Sequence, residues 1–396
     1  MKNFQTLCIH PLSKDNEDGS VTAPIATSTA YNYLEKEELR YPGFYSTYNQ
    51  KRLGNIIAHL EGAKWGMAFS SGMAAITTAI LSLVQAGEHI IFSRDLYGGT
   101  WNFAEQELAK RQISFSYADN SLASFQAMLQ PNTKLIYLET PSNPLLRIVP
   151  LREIAAFANA NQIVTVVDNT FASPVNQRPL QWGIDIVVHS GTKYLGGHND
   201  LPYGALVANK TSYQKPIYNM AKLYGGSLAP NECYLAERSL KTLALRVQRQ
   251  NANAFKLAEY LNRHSLIKNV YYPGLPSHPD HSIAIMQMTG FGGMLSFELD
   301  LNVDQQHIFL TSLQFIQPAL SLGGVESLIC SPANTSHRAL TATQRHQLGI
   351  QDNLLRLSVG IEDANDLIAD LRLAMQKAVA STYLFPASII TCPLSV

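Results

Sequence analysis

The sequence predicts an α/β fold in two lobes, a larger one around a mostly parallel sheet and a smaller α+β one. Three observations carry this. From about Leu60 to Ala244, short apolar runs rich in β-formers alternate with helix-periodic stretches across short connections. That is the pattern of a parallel sheet covered on both faces. After a long helical stretch at about 231–263, strands become denser and the alternation less regular. A chain of 396 residues exceeds one ordinary core, and 46% hydrophobic residues are enough to fill two.

Taken in order, residues 1–59 hold many turn residues and few long periodic runs, and read as an arm. Aromatics are dense there: Tyr31, Tyr33, Tyr41, Phe44, Tyr45 and Tyr48. Residues 60–245 form the larger lobe, with strands expected at 88–92, 133–139, 163–168, 184–189 and 204–208 and helices at 101–110 and 151–160. Residues 246–380 form the second lobe, with strands at 270–272, 293–299 and 354–358 and a helix at 363–380. The apolar, proline-broken tail at 381–396 is expected to pack on the protein's own surface.

Composition excludes several function classes. The 30 basic and 30 acidic side chains cancel, leaving no electrostatic footprint for nucleic acid or an anionic membrane. No run approaches the ~20 apolar residues that span a bilayer, and no apolar leader is apparent. Cys8, Cys233, Cys330 and Cys392 are scattered without a C-x-x-C pair. They suggest neither a disulfide framework nor a zinc site, and point to a reduced, cytoplasmic setting.

The chemistry gathers at expected strand ends, where open α/β sheets bind ligands. HSGTKYLGGHND, from His189 to Asp200, follows an apolar strand and places Lys193 beside Ser190 and Thr192. A lysine amine among hydroxyls and glycines suits Schiff-base attachment of an aldehyde cofactor, with the hydroxyls on its phosphate. Another apolar strand ends in Asp168, 25 residues earlier, and a carboxylate there can pair with a protonated pyridine nitrogen. Ser71-Gly72-Met73 opens an alanine-rich helix, where Gly72 and Met73 would offer backbone N–H groups to an anion. Each stretch alone also has a plainer reading: a solvated loop lysine, a turn aspartate, an ordinary Ser71 N-cap. No G-x-G-x-x-G opens a helix after a strand, which argues against a nicotinamide dehydrogenase.

Together, SSGMAAI, DLYGGT, ETPSNP, VVDNTFASP, HSGTKYLGGH, YYPGLPSHP, GFGGMLSFEL, SLGGVESL and LLRLSVGIED resemble, in order, the Cys/Met-metabolism family of pyridoxal phosphate (PLP) enzymes. The resemblance runs from about Thr22 to Met375. It implies an aspartate-aminotransferase-like fold (fold type I), PLP as cofactor, a small amino-acid substrate, and a homotetramer built from dimers whose arms reach a neighbour. It also implies residue roles. Lys193 would carry PLP and move protons, Asp168 would hold the ring nitrogen, and Tyr97 would stack on the ring and assist proton transfer. Gly72, Met73, Ser190 and Thr192 would cradle the phosphate. Arg356 would bind the substrate carboxylate in bidentate fashion, with Ser321 and Asn143 orienting carboxylate and cofactor oxygen. Arg356 also reads as a structural salt-bridge partner, and Ser321 and Asn143 as turn residues.

The implied reaction is γ-elimination or γ-replacement on sulfur amino acids or activated homoserine, of cystathionine γ-synthase or γ-lyase type. Gly99, in Tyr97-Gly98-Gly99-Thr100, and Glu326 tilt toward that pair. Cystathionine β-lyases, O-acylhomoserine sulfhydrylases and methionine γ-lyases share nearly all the same residues. A PLP-binding protein with lost catalysis is the reading from another class, motivated by a departure in the arm. There the family carries Tyr-x-Arg, which reaches a neighbour's phosphate. By distance to Ser71, Tyr41 matches the tyrosine and Gly43 takes the arginine's place; Tyr45-Ser46-Thr47 is the competing alignment. Arg40 and Arg52 are the nearby stand-ins. His278 and His281 have a ligand-like spacing but lie in a turn motif, His198 and His337 read as structural or as lying near the site's mouth, and no metal is assigned.

Overall fold

The computed structural model describes residues 3–12, 19–336, 338 and 341–380. His337 and the tail at 381–396, with Cys392, lie outside the described residues. The larger sheet has seven strands: β1 (Trp65–Phe69), β2 (His89–Ser93), β3 (Ser114–Ala118), β4 (Thr133–Glu139), β5 (Val164–Asp168), β6 (Ile186–Ser190) and β7 (Gly204–Ala208). Their order is β1-β7-β6-β5-β4-β2-β3. Strands β2 to β6 run parallel, and β7 lies antiparallel between β6 and β1. The apolar runs explain the parallel core: Ile90, Phe92, Leu135, Val166, Val167, Ile186 and Val188 have no exposed surface.

The smaller sheet joins β8 (Ile267–Tyr271), β9 (Met294–Leu299), β10 (Gln317–Pro318), β11 (Leu328–Cys330) and β12 (Leu354–Ser358) in the order β10-β11-β12-β9-β8. All its pairs are antiparallel except β10 with β11.

The helices around these sheets include α1 (Tyr48–Glu61), α2 (Gly72–Leu83), α3 (Gly98–Phe103), α4 (Leu151–Ala160), α5 (Pro230–Leu240), α6 (Leu243–Asn262) and α7 (Ala364–Ala380). Three expectations change. The end of the arm expected over 1–59 is α1, whose Leu53, Ile56, Ile57 and Leu60 are buried in the larger lobe. It starts at a capping box between Thr47 and Gln50 and stops at Gly62, where φ is 74°. The helix expected at 101–110 is α3 continued by a π turn at Ala104–Leu108 and a 3₁₀ turn at Ala109–Arg111. The long helical stretch at 231–263 is two helices, broken at Lys241 and Thr242.

Candidate active site

Neighbouring strands β6, β5, β4 and β2 end along one edge of the sheet. Asp168 ends β5, and the turns after β6, β4 and β2 carry Lys193, Asn143 and Tyr97. The edge therefore gathers residues that are far apart in the chain.

Lys193 lies in a tight turn, closed by hydrogen bonds from Gly196 N to Gly191 O and from Gly197 N to Lys193 O, both 2.7 Å. Its Nζ donates to Ser321 Oγ at 2.8 Å. Burial, and then the charge of Arg356, lowers its pKa to about 8. From behind, the buried Arg246 of α6 donates to Tyr194 O (2.8 Å) and Ser239 O (2.9 Å). Gly197, with φ 71°, makes room for it; a Cβ there would stand 1.8 Å from Arg246 Nη1.

Asp168 closes β5 and is buried. Its Oδ1 accepts from Thr170 N (3.0 Å) and Thr170 Oγ1 (2.5 Å), and its Oδ2 from the phenol of Tyr137 (3.4 Å). Burial pushes its carboxyl up, while the Thr170 donors, His189 and Tyr137 favour the ionised form. On strand β6, His189 Nε2 meets the buried Glu61 Oε1 at 2.6 Å.

Helix α2 starts at Gly72, with Ser71 as N-cap accepting from Ala74 N. Its first amides, those of Gly72 and Met73, belong to the unpaired set that a helix start leaves. Side chains would close this corner. A Cβ at Gly72 would stand 2.8 Å from Ser190 Cβ, and one at Gly204 would stand 2.1 Å from Ser71 O. Ser190 thus flanks the helix start, while the Thr192 hydroxyl is shared with the backbone of Tyr203.

Arg356, in the middle of β12, is buried. It donates from Nη1 to Asn143 Oδ1 (2.9 Å) and from Nη2 to Ser321 O (3.2 Å), and its Nε has no partner among the described residues. Lys193, Ser321, Arg356 and Asn143 are thus linked by hydrogen bonds across both sheets. Ser321 holds φ at 86°, uncommon for a residue with a side chain.

Tyr97 is half exposed at the N-terminus of α3. A Cβ at Gly99 would stand 2.4 Å from Tyr97 Cε1 and 3.0 Å from Met73 Sδ, so glycine at 99 admits this ring position beside α2. Sequence reasoning missed Glu139, a buried carboxylate whose Oε2 accepts from Tyr97 N at 2.6 Å. It also missed Tyr137 and Arg246. Glu326 is held by Asn199, six residues beyond Lys193, at 2.7 Å.

The arm residues stand apart. Tyr41 is half exposed with its ring against Phe44, and no hydrogen bond or ring contact among the described residues joins it to the cluster. Arg52 is not a free stand-in for the missing arginine, because Glu237 holds it through two 2.8 Å bonds. Arg40 is exposed. Thr47 is occupied as the cap of α1. His278 and His281 meet the carbonyls of Leu145 and Pro273, and His198 meets that of Gly196.

PLP fits these residues: an amine of lowered basicity, a buried carboxylate, and an anion corner kept open by two glycines. Fold and site together define a PLP-dependent enzyme of the aspartate-aminotransferase-like fold (fold type I). Known proteins agree. The chain belongs to the Cys/Met metabolism PLP-dependent enzyme family, whose model matches residues 5–376. A cystathionine beta-lyase of Lactococcus lactis subsp. cremoris (strain MG1363) is 43% identical over 388 residues, covering 95% of this chain and 100% of that one. A solved cystathionine gamma-lyase from Lactobacillus plantarum, complexed with L-serine, is 41% identical with a TM-score of 0.91, covering 96% of this chain and 100% of that one. A solved cystathionine gamma synthase from Xanthomonas oryzae pv. oryzae, in complex with aminoacrylate and cysteine, is 38% identical with a TM-score of 0.92 and the same coverage.

Proposed function

We propose that this chain performs γ-elimination or γ-replacement on cystathionine-type amino acids or activated homoserine. The observation that carries the reading is the bonded set Lys193–Ser321–Arg356–Asn143, which sets an amine beside a cation with a free N–H. When bound, PLP supplies an electron sink for charge developing at the substrate's α carbon. Lys193 would hold the cofactor, Asp168 would keep its ring nitrogen protonated, and Tyr97 would stack on the ring. The Gly72 and Met73 amides, with Ser190 and Thr192, would receive the phosphate.

Arg356 binds the α-carboxylate as a fork, and Asn143 and Ser321 fix its angle. Lys193 Nζ would remove the α proton and carry a proton between the α and β carbons. An amine with a pKa near 8 can do both near neutral pH. A cavity of about 340 Å³ adjoining Asn143, lined also by Leu145, Trp101 and Asn102, leaves room for a long side chain.

A β-lyase is the second reading, favoured by the names of several curated relatives. Incubation with cystathionine separates the two. Cysteine, 2-oxobutanoate and ammonia mark γ-elimination; homocysteine, pyruvate and ammonia mark β-elimination. Thioether formation from O-succinylhomoserine and cysteine marks replacement. Bound cofactor with no turnover of any of these substrates would refute the proposal.

We place the site in a homotetramer built from dimers, in the cytoplasm. Exposed Tyr33, Leu34, Leu39, Tyr41 and Phe44 support a neighbouring subunit on the arm. Tyr41 would then reach the neighbour's phosphate. Among the described residues no helix is long and apolar enough to cross a membrane.

A further inference from the structure

We propose that Glu139 is a positioning residue for Tyr97, its carboxyl acting as a latch on the first backbone amide of the turn that carries that ring. The inference rests on the reading of Tyr97 as the residue over the cofactor. Glu139 is the last residue of β4, in register with Asp168 at the end of β5. Its own amide donates to Ser93 Oγ at 3.1 Å, which ties the ends of β4 and β2 together. Its Oε2 takes the Tyr97 N–H at 2.6 Å. Tyr97 precedes a six-residue helix and its own side chain makes no cap bond, so this acceptor fixes where the helix begins.

Glu139 is 4% exposed and its carboxyl is a fixed acceptor, so removing it would leave the Tyr97 amide with at most mobile water as its partner.

The charged neighbours of Glu139 are Asp168 on β5, Asp95 after β2 and Arg356 on β12. Burial, then the charge of Asp168, holds its carboxyl well above the usual range; the Tyr97 amide and Arg356 oppose this. Two carboxyls side by side cannot both ionise cheaply. Among the described residues the Asp168 carboxyl has three donors and the Glu139 carboxyl one, the Tyr97 backbone amide, so the proton belongs on Glu139. The latch then works as a neutral acid, and a neutral amide of the same shape can replace it.

The test uses the full chain loaded with PLP. Glu139→Gln keeps an acceptor, and Glu139→Leu keeps the volume without one. We expect Glu139→Leu to lower kcat about 10- to 100-fold, the loss expected when the Tyr97 amide no longer has a fixed acceptor. It should also change the visible circular dichroism of the bound cofactor, which reports ring tilt. Glu139→Gln should restore both to within about threefold of native. In a Tyr97→Ala background, Glu139→Leu should cost nothing further, because the two act as one unit. Should Glu139→Leu fail to fold, Glu139→Ala carries the same cycle.

Three results would each overturn the proposal: a Leu variant with native kcat and dichroism, a Gln variant as poor as the Leu one, or an equal Leu loss in both backgrounds. A native chain that takes up no PLP is a different outcome, and sinks the reading of the site itself.

Discussion

Replacing Arg356 with glutamine tests the carboxylate fork directly. The guanidinium is 5% exposed and already anchored by Asn143 Oδ1 and Ser321 O, with Nε unused. It is therefore held in place before any substrate arrives. Each charge-assisted bond to a carboxylate contributes about 1.5–3 kcal/mol. Two of them, less what one amide can still donate, come to about 3 kcal/mol, or roughly 150-fold in kcat/KM. The assay pairs steady-state kinetics on cystathionine with inhibition by alanine and by alaninamide. Native protein should prefer alanine strongly, and Arg356→Gln should lose that preference while keeping the cofactor's visible absorbance. An unchanged alanine-to-alaninamide ratio in the variant would refute the fork, whatever happens to kcat.

The same geometry has other testable consequences. Asp168→Asn leaves no fixed negative charge for a ring nitrogen, so kcat should fall roughly 100-fold or more and PLP affinity should weaken, measured by equilibrium dialysis. Lys193→Met should prevent borohydride from trapping any cofactor on the chain. In cofactor-free protein the Lys193 amine sits near pKa 8, against 10.5 for an ordinary lysine. Between those values the unfolded chain binds more protons, so this group's penalty is full below about pH 8 and is relieved as pH rises toward about 10.5. Urea unfolding across that window should show the rise in native protein and its loss in Lys193→Met. Thr47→Arg, which would restore an arginine in one arm alignment, should instead lower stability by about 1 kcal/mol by removing the α1 cap, read from the urea midpoint.

Much of this was legible in the sequence. Strands β4, β7 and β12 and helix α4 have the bounds that their apolar runs predict, because a fully buried strand has no polar alternative. The places of Asp168, Lys193, Asn143 and Tyr97 at or just past strand ends were legible for the same reason, since each follows an apolar run. Helix α1 was missed although Leu53, Ile56, Ile57 and Leu60 have helical spacing. Its polar positions Asn49, Gln50 and Glu61 are buried too, which blurs the amphipathic stripe. Short strands β10 and β11 leave almost no periodic signal, since two or three residues cannot show alternation. Glu139 was hidden in plain view within ETPSNP. A glutamate ending a strand looks like a solvated turn residue until the amide of Tyr97, 42 positions away, is seen against it.

Helix α6 has a wider significance. Arg246 on its first turns grips the Tyr194 carbonyl next to Lys193, Gln250 one turn on grips Gly324 O, and Asn253 grips Gly360 O, four residues past Arg356. One rod thus bonds both to the turn that carries Lys193, on the larger lobe, and to the loops beside Arg356, on the smaller one. The distance between that amine and that guanidinium is therefore set by a helix braced against both lobes, and a change at Arg246, Gln250 or Asn253 would loosen their spacing without touching either group.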